Sequence, residues 1–497
     1  MYLLLTNASS SIDSLAHLPP LPLVIDFCDE TATRVRQDEE RMLIGLQQRS
    51  RVRRIVVQAP SPSLRIGLEA MNEPFPILEA LSLSSTTEEE TSPVLPGNFR
   101  AQNLRHLTFQ GIGLPTDLSL LASTTTLITL TLTRIPAPCY FPPGHLITQL
   151  QGLPHLEELS IGFAIPIPRP SAERELLPAP IPRMTLPSLK RLIFRGVGAY
   201  LENLVAQINA PLLERLSTTL FFEVTYALAN LTQFVHATEG LHCLSAKILF
   251  NCDGASIVTS IDESWGGGGL TLNVCCQPLD WKIDSAAQVC RGLEQVLIAV
   301  EELTLDLDED GIQSDPENAP DSTLWHELLL PFRGVKKLHI GSALTSELAD
   351  ALKSDDANAG LILDLLPSLQ DLGVQLETND AYNAFSTFIE TREGVGRRVR
   401  LLDPPVPQIS IQLGRKMEGR SLDDAKAAQH AASSIVSHEG LAMGYRSSSK
   451  FDKFSFIKYM KNIGRAYRKQ ALELISICRN FVRTQEQTPE SCAELRR

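Results

Sequence analysis

The chain has 497 residues, of which 43% are hydrophobic and 21% charged, and its formal net charge at pH 7 is -13. This composition supplies enough apolar side chains for a large core, and it excludes a disordered chain or a small disulfide-stapled domain. No uninterrupted apolar run reaches the roughly 18 residues of a membrane-spanning helix, and the first residues lack the basic leader of a secretory signal. We therefore expect an intracellular protein, cytoplasmic or nuclear.

The charge is distributed unevenly along the chain. Residues 416–497 contain 15 Lys and Arg against 9 Asp and Glu, a net charge of +6, so residues 1–415 carry -19. An acidic main body repels polyanions, and we do not expect a nucleic-acid partner. The nine cysteines are odd in number and never form a CxxC pair, so neither a disulfide framework nor a zinc site is predicted.

A short apolar pattern, LxxLxL with Ile, Val or Phe allowed, recurs along the chain. Successive starts in the first run are separated by 26, 26, 23, 29, 33 and 24 residues. The copies start at Val52, Leu78, Leu104, Leu127, Leu156, Leu189, Leu213, Val300, Val335 and Leu369. Two degenerate copies, at Leu241 and Leu270, fall in the gap after Leu213. Such repetition indicates stacked structural units.

Each copy predicts a short strand followed by a return segment. The LxL part sends alternate side chains into the core, and the leucine three residues earlier fills the core from the preceding turn. One unit cannot bury its apolar side alone, so neighbouring units stack and share a core. The predicted fold is α/β, a leucine-rich-repeat-like curved solenoid of about ten to twelve irregular strand-helix units. Its deeply buried positions include Leu107, Leu130, Leu159, Leu192, Leu338 and Leu372.

Two return segments have clear helix patterns. The first ends at Pro211 and has an apolar stripe on one face. This stripe consists of Leu201, Leu204, Val205 and Ile208. The second pattern predicts a capped last helix from Asn379 or Asp380 to Gly394. Between units, the proline-rich residues 163–187 predict a long surface loop.

Residues 306–317 match the spacing of a calcium-binding loop, DxDxDGxxxxxE. The matching residues are Asp306, Asp308, Asp310, Gly311 and Glu317. Pro316 and Pro320 interrupt the helix that should follow such a loop, which favours an acidic loop between repeats over a calcium site. The glycines at 266–269 lack the Lys-Ser/Thr of a phosphate-binding loop, and the sequence contains no HExxH or GxSxG motif. We therefore predict no enzyme activity, no metal and no cofactor.

The C-terminal tail differs in character from the repeats. Residues 450–483 combine an apolar stripe with 9 Lys and Arg against 2 acidic residues, which predicts a basic amphipathic helix. That helix either packs on the acidic body, extends from it, or contacts a membrane surface or a partner. The predicted organisation is a solenoid over 1–413, a linker over 414–449, the helix over 450–483 and a disordered C-terminus over 484–497.

Three stretches near the start, together with the later LPxLxxL phrases, indicate a family. They are LPPLPLVIDFCDE at 18–30, RSRVRRIVVQAPSPSL at 49–64 and EPFPILEALSL at 73–83. With them the chain resembles, over residues 15–405, the substrate-recognition part of fungal F-box proteins with leucine-rich repeats. The resemblance implies that the repeats recruit a target protein to a cullin-type (SCF) ubiquitin ligase, whose adaptor binds an upstream helical F-box. Since LPPLPLVIDF runs into strand-like residues, we expect the F-box itself to be missing from this chain.

Strand geometry predicts where a partner would bind. The residues that flank the two core positions of LxL point to the opposite face, which is concave in a solenoid. In two consecutive units they are Arg191, Ile193 and Arg195, then Arg215, Ser217 and Thr219. Neighbouring strands lie about 4.8 Å apart, so Arg191 and Arg215 are expected side by side, which weakens a sheet unless an anion compensates.

Two kinds of anion could compensate these arginines. Glu158, at the corresponding position of the preceding unit, could pair with Arg191. Alternatively, Arg191, Arg195 and Arg215 bind an acidic or phosphorylated segment of a target protein through bidentate hydrogen bonds. Arg195 is the better test residue because its expected neighbours, Gly162 and Thr219, carry no carboxylate.

Two functions therefore remain open. The first is non-catalytic recognition of a target protein on the concave strand face, for recruitment to the ubiquitin ligase. The second is a stand-alone leucine-rich-repeat scaffold without a ligase link, whose basic tail contacts a membrane or a second partner. An F-box upstream of the repeats would favour the first function, and its absence would favour the second.

Overall fold

The structure is a computed structural model, and it describes residues 3–6, 21–28, 35–87, 92–115, 119–164, 183–221, 223, 225–260, 269–276, 279–308, 322–352, 365–374 and 379–402. These residues belong to one compact unit, Met1–Pro407. The predicted linker, tail helix and C-terminus lie outside the described residues. So do residues 165–182 of the proline-rich segment and residues 309–321, which include most of the calcium-loop motif.

The described residues form eighteen strands and eleven α-helices. The strands are β1 Leu3–Thr6, β2 Leu23–Cys28, β3 Val52–Ala59, β4 Ala80–Ser85, β5 His106–Gln110, β6 Thr129–Ile135, β7 Glu158–Phe163, β8 Met184–Thr185, β9 Arg191–Gly196, β10 Ile208–Asn209, β11 Arg215–Leu220, β12 Ser245–Asn251, β13 Gly254–Ser260, β14 Gly269–Cys275, β15 Glu302–Leu307, β16 Lys337–Ile340, β17 Asp371–Val374 and β18 Arg400–Leu402. The helices are α1 Val35–Gln47, α2 Ser61–Ala70, α3 Ser119–Ser123, α4 Pro143–Leu150, α5 Gly198–Gln207, α6 Ala229–His236, α7 Leu279–Gly292, α8 Glu294–Leu297, α9 Ser322–Leu329, α10 Thr345–Ala351 and α11 Asn379–Gly394.

Sixteen strands form one open, mostly parallel sheet. Their order is β1-β2-β3-β4-β5-β6-β7-β9-β11-β14-β13-β12-β15-β16-β17-β18, and β8 pairs with β10 in a separate two-stranded sheet. Within the large sheet, β13 is antiparallel to both of its neighbours. Parallel strands need a crossover connection, and the helices between the strands supply it.

The LxL alternation divides the large sheet into two faces. Alternate residues are buried, as in β4, β9 and β11, whose side chains switch regularly between buried and partly exposed. The six leucines predicted to be deeply buried are each at most 1% exposed, which confirms those positions. These buried residues belong to one core that also includes the apolar side chains of the helices. We call the other face, with its partly exposed side chains, the open face.

Corresponding residues of successive units pair directly. In β5, β6, β7 and β9 the first core leucine of one strand is the register partner of the same position in the next. These partners are Leu107, Leu130, Leu159 and Leu192. A parallel sheet in this register places each leucine beside its equivalent, about 4.8 Å away, so every unit covers the apolar side of its neighbour.

Polar side chains link successive units at the turns before the strands. Asn103 donates to the carbonyl of Pro76 at 2.6 Å, and Ser188 donates to the carbonyl of Pro154 at 2.9 Å. Ion pairs follow the same edge of the sheet. They are Arg53 with Glu79 at 2.9 Å, Lys190 with Glu157 at 3.0 Å and Lys336 with Glu301 at 2.6 Å. Exposed pairs of this kind contribute at most about 1 kcal/mol each, so they support a register that leucine burial determines.

Acidic side chains from neighbouring segments cap two helices at their N-termini. Glu223 accepts a hydrogen bond from the backbone N–H of Gly198, the first residue of α5, at 2.6 Å. Glu202, on α5, accepts from the backbone N–H groups of Asn230 and Leu231 in α6, each at 2.8 Å. The first N–H groups of a helix lack partners within the helix, so these carboxylates satisfy them and fix α5 against α6.

The two predicted return helices are confirmed. Helix α5 covers Gly198–Gln207, so it ends before Pro211; the four predicted stripe residues are buried, but Ile208 lies in β10 and not in the helix. Helix α11 covers Asn379–Gly394, as the capping pattern predicted. Near its end Arg392 is buried and donates to the carbonyls of Leu365, at 2.9 Å, and Leu366, at 3.0 Å. This side chain fastens α11 to the turn before β17.

Between β11 and β15 the sheet departs from the predicted repeat. β12 and β13 form a hairpin, and β14 returns from it to pair with β11. The predicted register at Leu241 is therefore wrong in part, because Leu244 is 55% exposed while Cys243 and Ala246 are buried. The sheet also exceeds the predicted ten to twelve units, since β1, β2, β13 and β18 lack a clear LxxLxL motif.

We predict that Leu192→Asp destabilises the protein by more than about 3 kcal/mol, because an unpaired charge would replace a fully buried side chain. The matched control is Ile193→Asp, which changes the adjacent residue on the open face and should cost less than about 1 kcal/mol. Urea denaturation of both variants measures the difference. Equal losses would show that the two faces are assigned wrongly.

A second prediction concerns the inter-helix cap of Glu202. Burial raises the pKa of this carboxyl, although its backbone hydrogen bonds act in the opposite direction. Glu202→Gln keeps an acceptor oxygen and should change the free energy of unfolding by less than about 0.5 kcal/mol, whereas Glu202→Ala should cost about 1–2 kcal/mol.

The raised pKa sets the sign of the pH dependence of this cap. The contribution of the protonated Glu202 carboxyl to the free energy of unfolding is complete below the ordinary pKa of glutamate, and it is lost as pH rises through the raised pKa. Wild type should therefore lose stability relative to Glu202→Gln over that rise, which urea titrations at several pH values measure. A Gln variant as unstable as the Ala variant would mean that the negative charge, and not the acceptor geometry, makes the cap.

Candidate partner-binding surface

Short polar side chains occupy open-face positions on six strands of a seven-strand stretch, β4, β5, β6, β7, β9, β11 and β14; the exception is β9. They are Ser82, Ser84, Thr108, Gln110, Thr129, Thr131, Thr133, Ser160, Ser217, Thr219, Thr271 and Asn273. Some bond across strands, for example Ser84 to Gln110 at 3.2 Å and Asn273 to Thr219 at 3.4 Å. Such a surface is low and rich in donors and acceptors, so the main chain of another protein can approach it closely.

Four charged residues stand at open-face positions of these seven strands. They are Glu158, Arg191, Arg195 and Arg215. The strand register pairs Arg191 with Glu158 on one side and with Arg215 on the other, as predicted. Arg191 donates to Glu158 at 3.2 Å, so the predicted intramolecular compensation of this arginine is present. The structure therefore brings Arg191 and Arg215 together, and Glu158 contacts Arg191.

Arg195 has different surroundings. Its register partners are Gly162 and Thr219, as predicted, and neither carries a charge. Its side chain is exposed, and its guanidinium carbon lies 6.0 Å from the ring centroid of Phe221. Among the described residues, no ion pair to an acidic side chain involves Arg195. The ring can hold the guanidinium plane by a cation–π contact and leave N–H groups free to donate.

Two neighbours of Arg195 were missed by the sequence analysis. Phe221 continues the alternation of Arg215, Ser217 and Thr219 by one step, and the repeat pattern ended before it. Cys275, at the end of β14, is partly exposed, and burial raises the pKa of its thiol while the charge of Arg195 acts in the opposite direction. Counting every second residue past the motif would have found Phe221. Cys275 required the strand order, because β14 follows β11 in space but not in sequence.

A second polar cluster lies beside helix α7 at the carboxyl ends of β12 and β14. Lys282 is buried and donates to the backbone carbonyl of Asn251 at 2.6 Å, and burial lowers the pKa of this lysine. Burial raises the pKa of Cys276 to about 11, against the effect of the Lys282 charge. A thiol with so high a pKa is a poor nucleophile at neutral pH. We interpret this cluster as the attachment of the β12–β13 hairpin to α7.

No protein-family model matches the chain, and a search of curated proteins finds no match. Within the described part of the chain, no helix is both long and apolar enough to cross a membrane. The same residues contain no group of three or more His, Cys, Asp or Glu arranged to hold a metal ion.

Thiol reactivity tests the packing of the cluster beside α7. Iodoacetamide at pH 8 should alkylate buried Cys276 at least about tenfold more slowly than exposed Cys252, because Cys276 is occluded and its thiolate fraction is small. The stabilising effect of that raised pKa is complete below pH 9.0 and is lost as pH rises through about 11. Peptide mass spectrometry over time gives both rates. In urea the two rates should converge, and fast native labelling of Cys276 would contradict the packing of this cluster.

Proposed function

We propose that the chain binds a target protein on the open face of its large sheet and does not itself catalyse a reaction. The observation that carries this proposal is the difference in burial between the two faces of the sheet. One face buries its LxL residues in the core, while the other presents partly exposed short polar side chains on β4, β5, β6, β11 and β14 and the arginines of β9 between them. Parallel sheets are usually covered on both faces, so a face left accessible in this way is consistent with a binding role.

For the finer architecture we propose a leucine-rich-repeat-like solenoid of irregular strand-helix units. It is supported by the direct pairing of equivalent leucines and by helices that contact one another in succession, such as α4 with α5 and α5 with α6. In solenoids of this kind the strands line the inner surface and the helices the outer surface, which makes the open face the binding face.

The proposed biological role is recruitment of the target to a cullin-type ubiquitin ligase. Its support is the resemblance of the repeats to F-box proteins with leucine-rich repeats. In such an arrangement the ligase adaptor binds a helical F-box, and the repeats hold the target. A stand-alone scaffold would use the same open face without an adaptor.

Site-specific photo-crosslinking in cells tests the binding face. A photoreactive phenylalanine analogue at Thr131 or at Ser217, both on the open face, should crosslink to the same target protein. The analogue at Gln233, an exposed position on helix α6, should not crosslink to that protein. Crosslinks to the target from Gln233 alone would reject the open face as its binding site.

The ligase link has a separate test on the crosslinked target. Depletion of the protein, or replacement by Ser217→Arg, should lengthen the half-life of the target, and inhibition of cullin activation should have the same effect. Gln233→Arg serves as the matched control and should leave the half-life unchanged. A target that binds through the open face but has an unaltered half-life would favour the scaffold function.

A further inference from the structure

The charge of the open face contrasts with that of the whole chain. The formal net charge of the chain is -13, yet the seven strands from β4 to β14 in the sheet order present three arginines and one glutamate on their open face. Arg134, at the irregularity between β6 and β7, adds a further partly exposed cation at the end of β6. Segregated charge of this kind orients an oppositely charged partner toward one face.

The single carboxylate is already engaged within this surface. Glu158 pairs with Arg191 at 3.2 Å, and both side chains are about one third exposed. Arg195 lies four residues further along the same strand, roughly 13 Å away at the rise of a parallel strand, which is beyond the reach of that carboxylate. Arg195 has no acidic partner among the described residues, so a partner protein can pair with it without displacing Glu158.

The surroundings of Arg195 favour an approaching main chain. Gly162, its neighbour on β7, has no side chain, and a Cβ atom there would lie 3.5 Å from Cβ of Arg195 and 3.6 Å from the backbone of Thr133. On the other side, Thr219 and Asn273 are short. The guanidinium is therefore flanked by short side chains, and Phe221, the residue after β11, lies beside it.

We infer that Arg195 is the anchor for an aspartate or glutamate side chain on an extended acidic segment of the target protein. This inference rests on the proposed function, since it names the partner chemistry of the same open face. One guanidinium that has no acidic partner in the described part of the chain matches the single charge of a carboxylate and can bind it with two parallel N–H···O bonds. A phosphate group carries nearly twice that charge, and arginine clusters are its usual sites.

Peptide binding to the full chain tests the inference. The probe is a fluorescein-labelled 12-residue peptide of alternating Glu and Ser, compared with its Gln-Ser counterpart by fluorescence anisotropy at low ionic strength. The Glu peptide should bind, and Arg195→Glu should weaken its binding by at least about tenfold. Phe221→Leu, which keeps an apolar side chain but removes the ring, should weaken binding by about two- to fivefold.

Arg54→Glu is the matched control. Arg54 is an exposed arginine on the same face, on β3, five strands and about 24 Å from β9, so it reports the long-range effect of the same charge change. It should change the affinity by less than about twofold. Thermal unfolding should show the same melting temperature for wild type and the two arginine variants, and should show that Phe221→Leu, whose ring packs against the core, is folded at the assay temperature.

Cys275 provides a readout that does not depend on affinity. It is partly exposed and close enough to Arg195 for the guanidinium charge to affect the pKa of its thiol. Bound Glu peptide should slow alkylation of Cys275 and leave that of exposed Cys252 unchanged. Protection of both thiols or of neither would place the peptide elsewhere.

Several results would overturn the inference. They are absence of binding to wild type, equal binding of the Gln peptide, an equal loss with Arg54→Glu, and tighter binding of a phosphoserine-containing peptide than of the Glu peptide. None of these results would change the expected crosslinks from Thr131 and Ser217. The peptide experiment therefore tests the role of Arg195, and the crosslinking experiment tests the proposed function separately.

Discussion

The in-register parallel pairing of equivalent leucines is the interaction on which the rest of the structure depends. Leu130 lies beside Leu107 on one side and Leu159 on the other, and none of the three could be buried by its own unit. A slip of one residue would turn these leucines onto the open face. The pairing therefore fixes two surfaces at once: the packed face and the face that remains accessible.

The same pairing determines the positions of the side chains on the open face. Residues two apart along a strand and neighbours across strands form a regular grid, so the contact of Arg191 with Glu158 follows from register alone. Contacts beyond the grid need other causes. The approach of Arg195 to Phe221 depends on where β11 ends, and the caps made by Glu202 and Glu223 depend on how neighbouring helices pack.

Local periodicity explains what could be predicted from the sequence. The buried leucines, helices α5 and α11, and the register neighbours of Arg195 all follow from spacing within one unit or between adjacent units. The region from β12 to β14 could not be derived in this way. There the chain reverses at Cys252 and Asp253 and forms an antiparallel hairpin. The LxxLxL pattern that starts at Leu241 predicts a buried Leu244, but Leu244 is exposed. The helix caps join residues 25 to 29 positions apart and leave no local pattern.

The reversal between β11 and β15 has a consequence for biosynthesis. β11 ends at Leu220, but its next neighbour in the sheet is β14, which begins only at Gly269. β12 pairs with β15, which lies later still in the sequence. A ribosome delivers the chain from its N-terminus at a finite rate, so strands up to β11 can assemble as they emerge. Extension of the sheet beyond β11 must wait until Cys275, the last residue of β14, has left the exit tunnel. One continuous sheet is thus made in two stages, and the edge of β11 is the boundary between them.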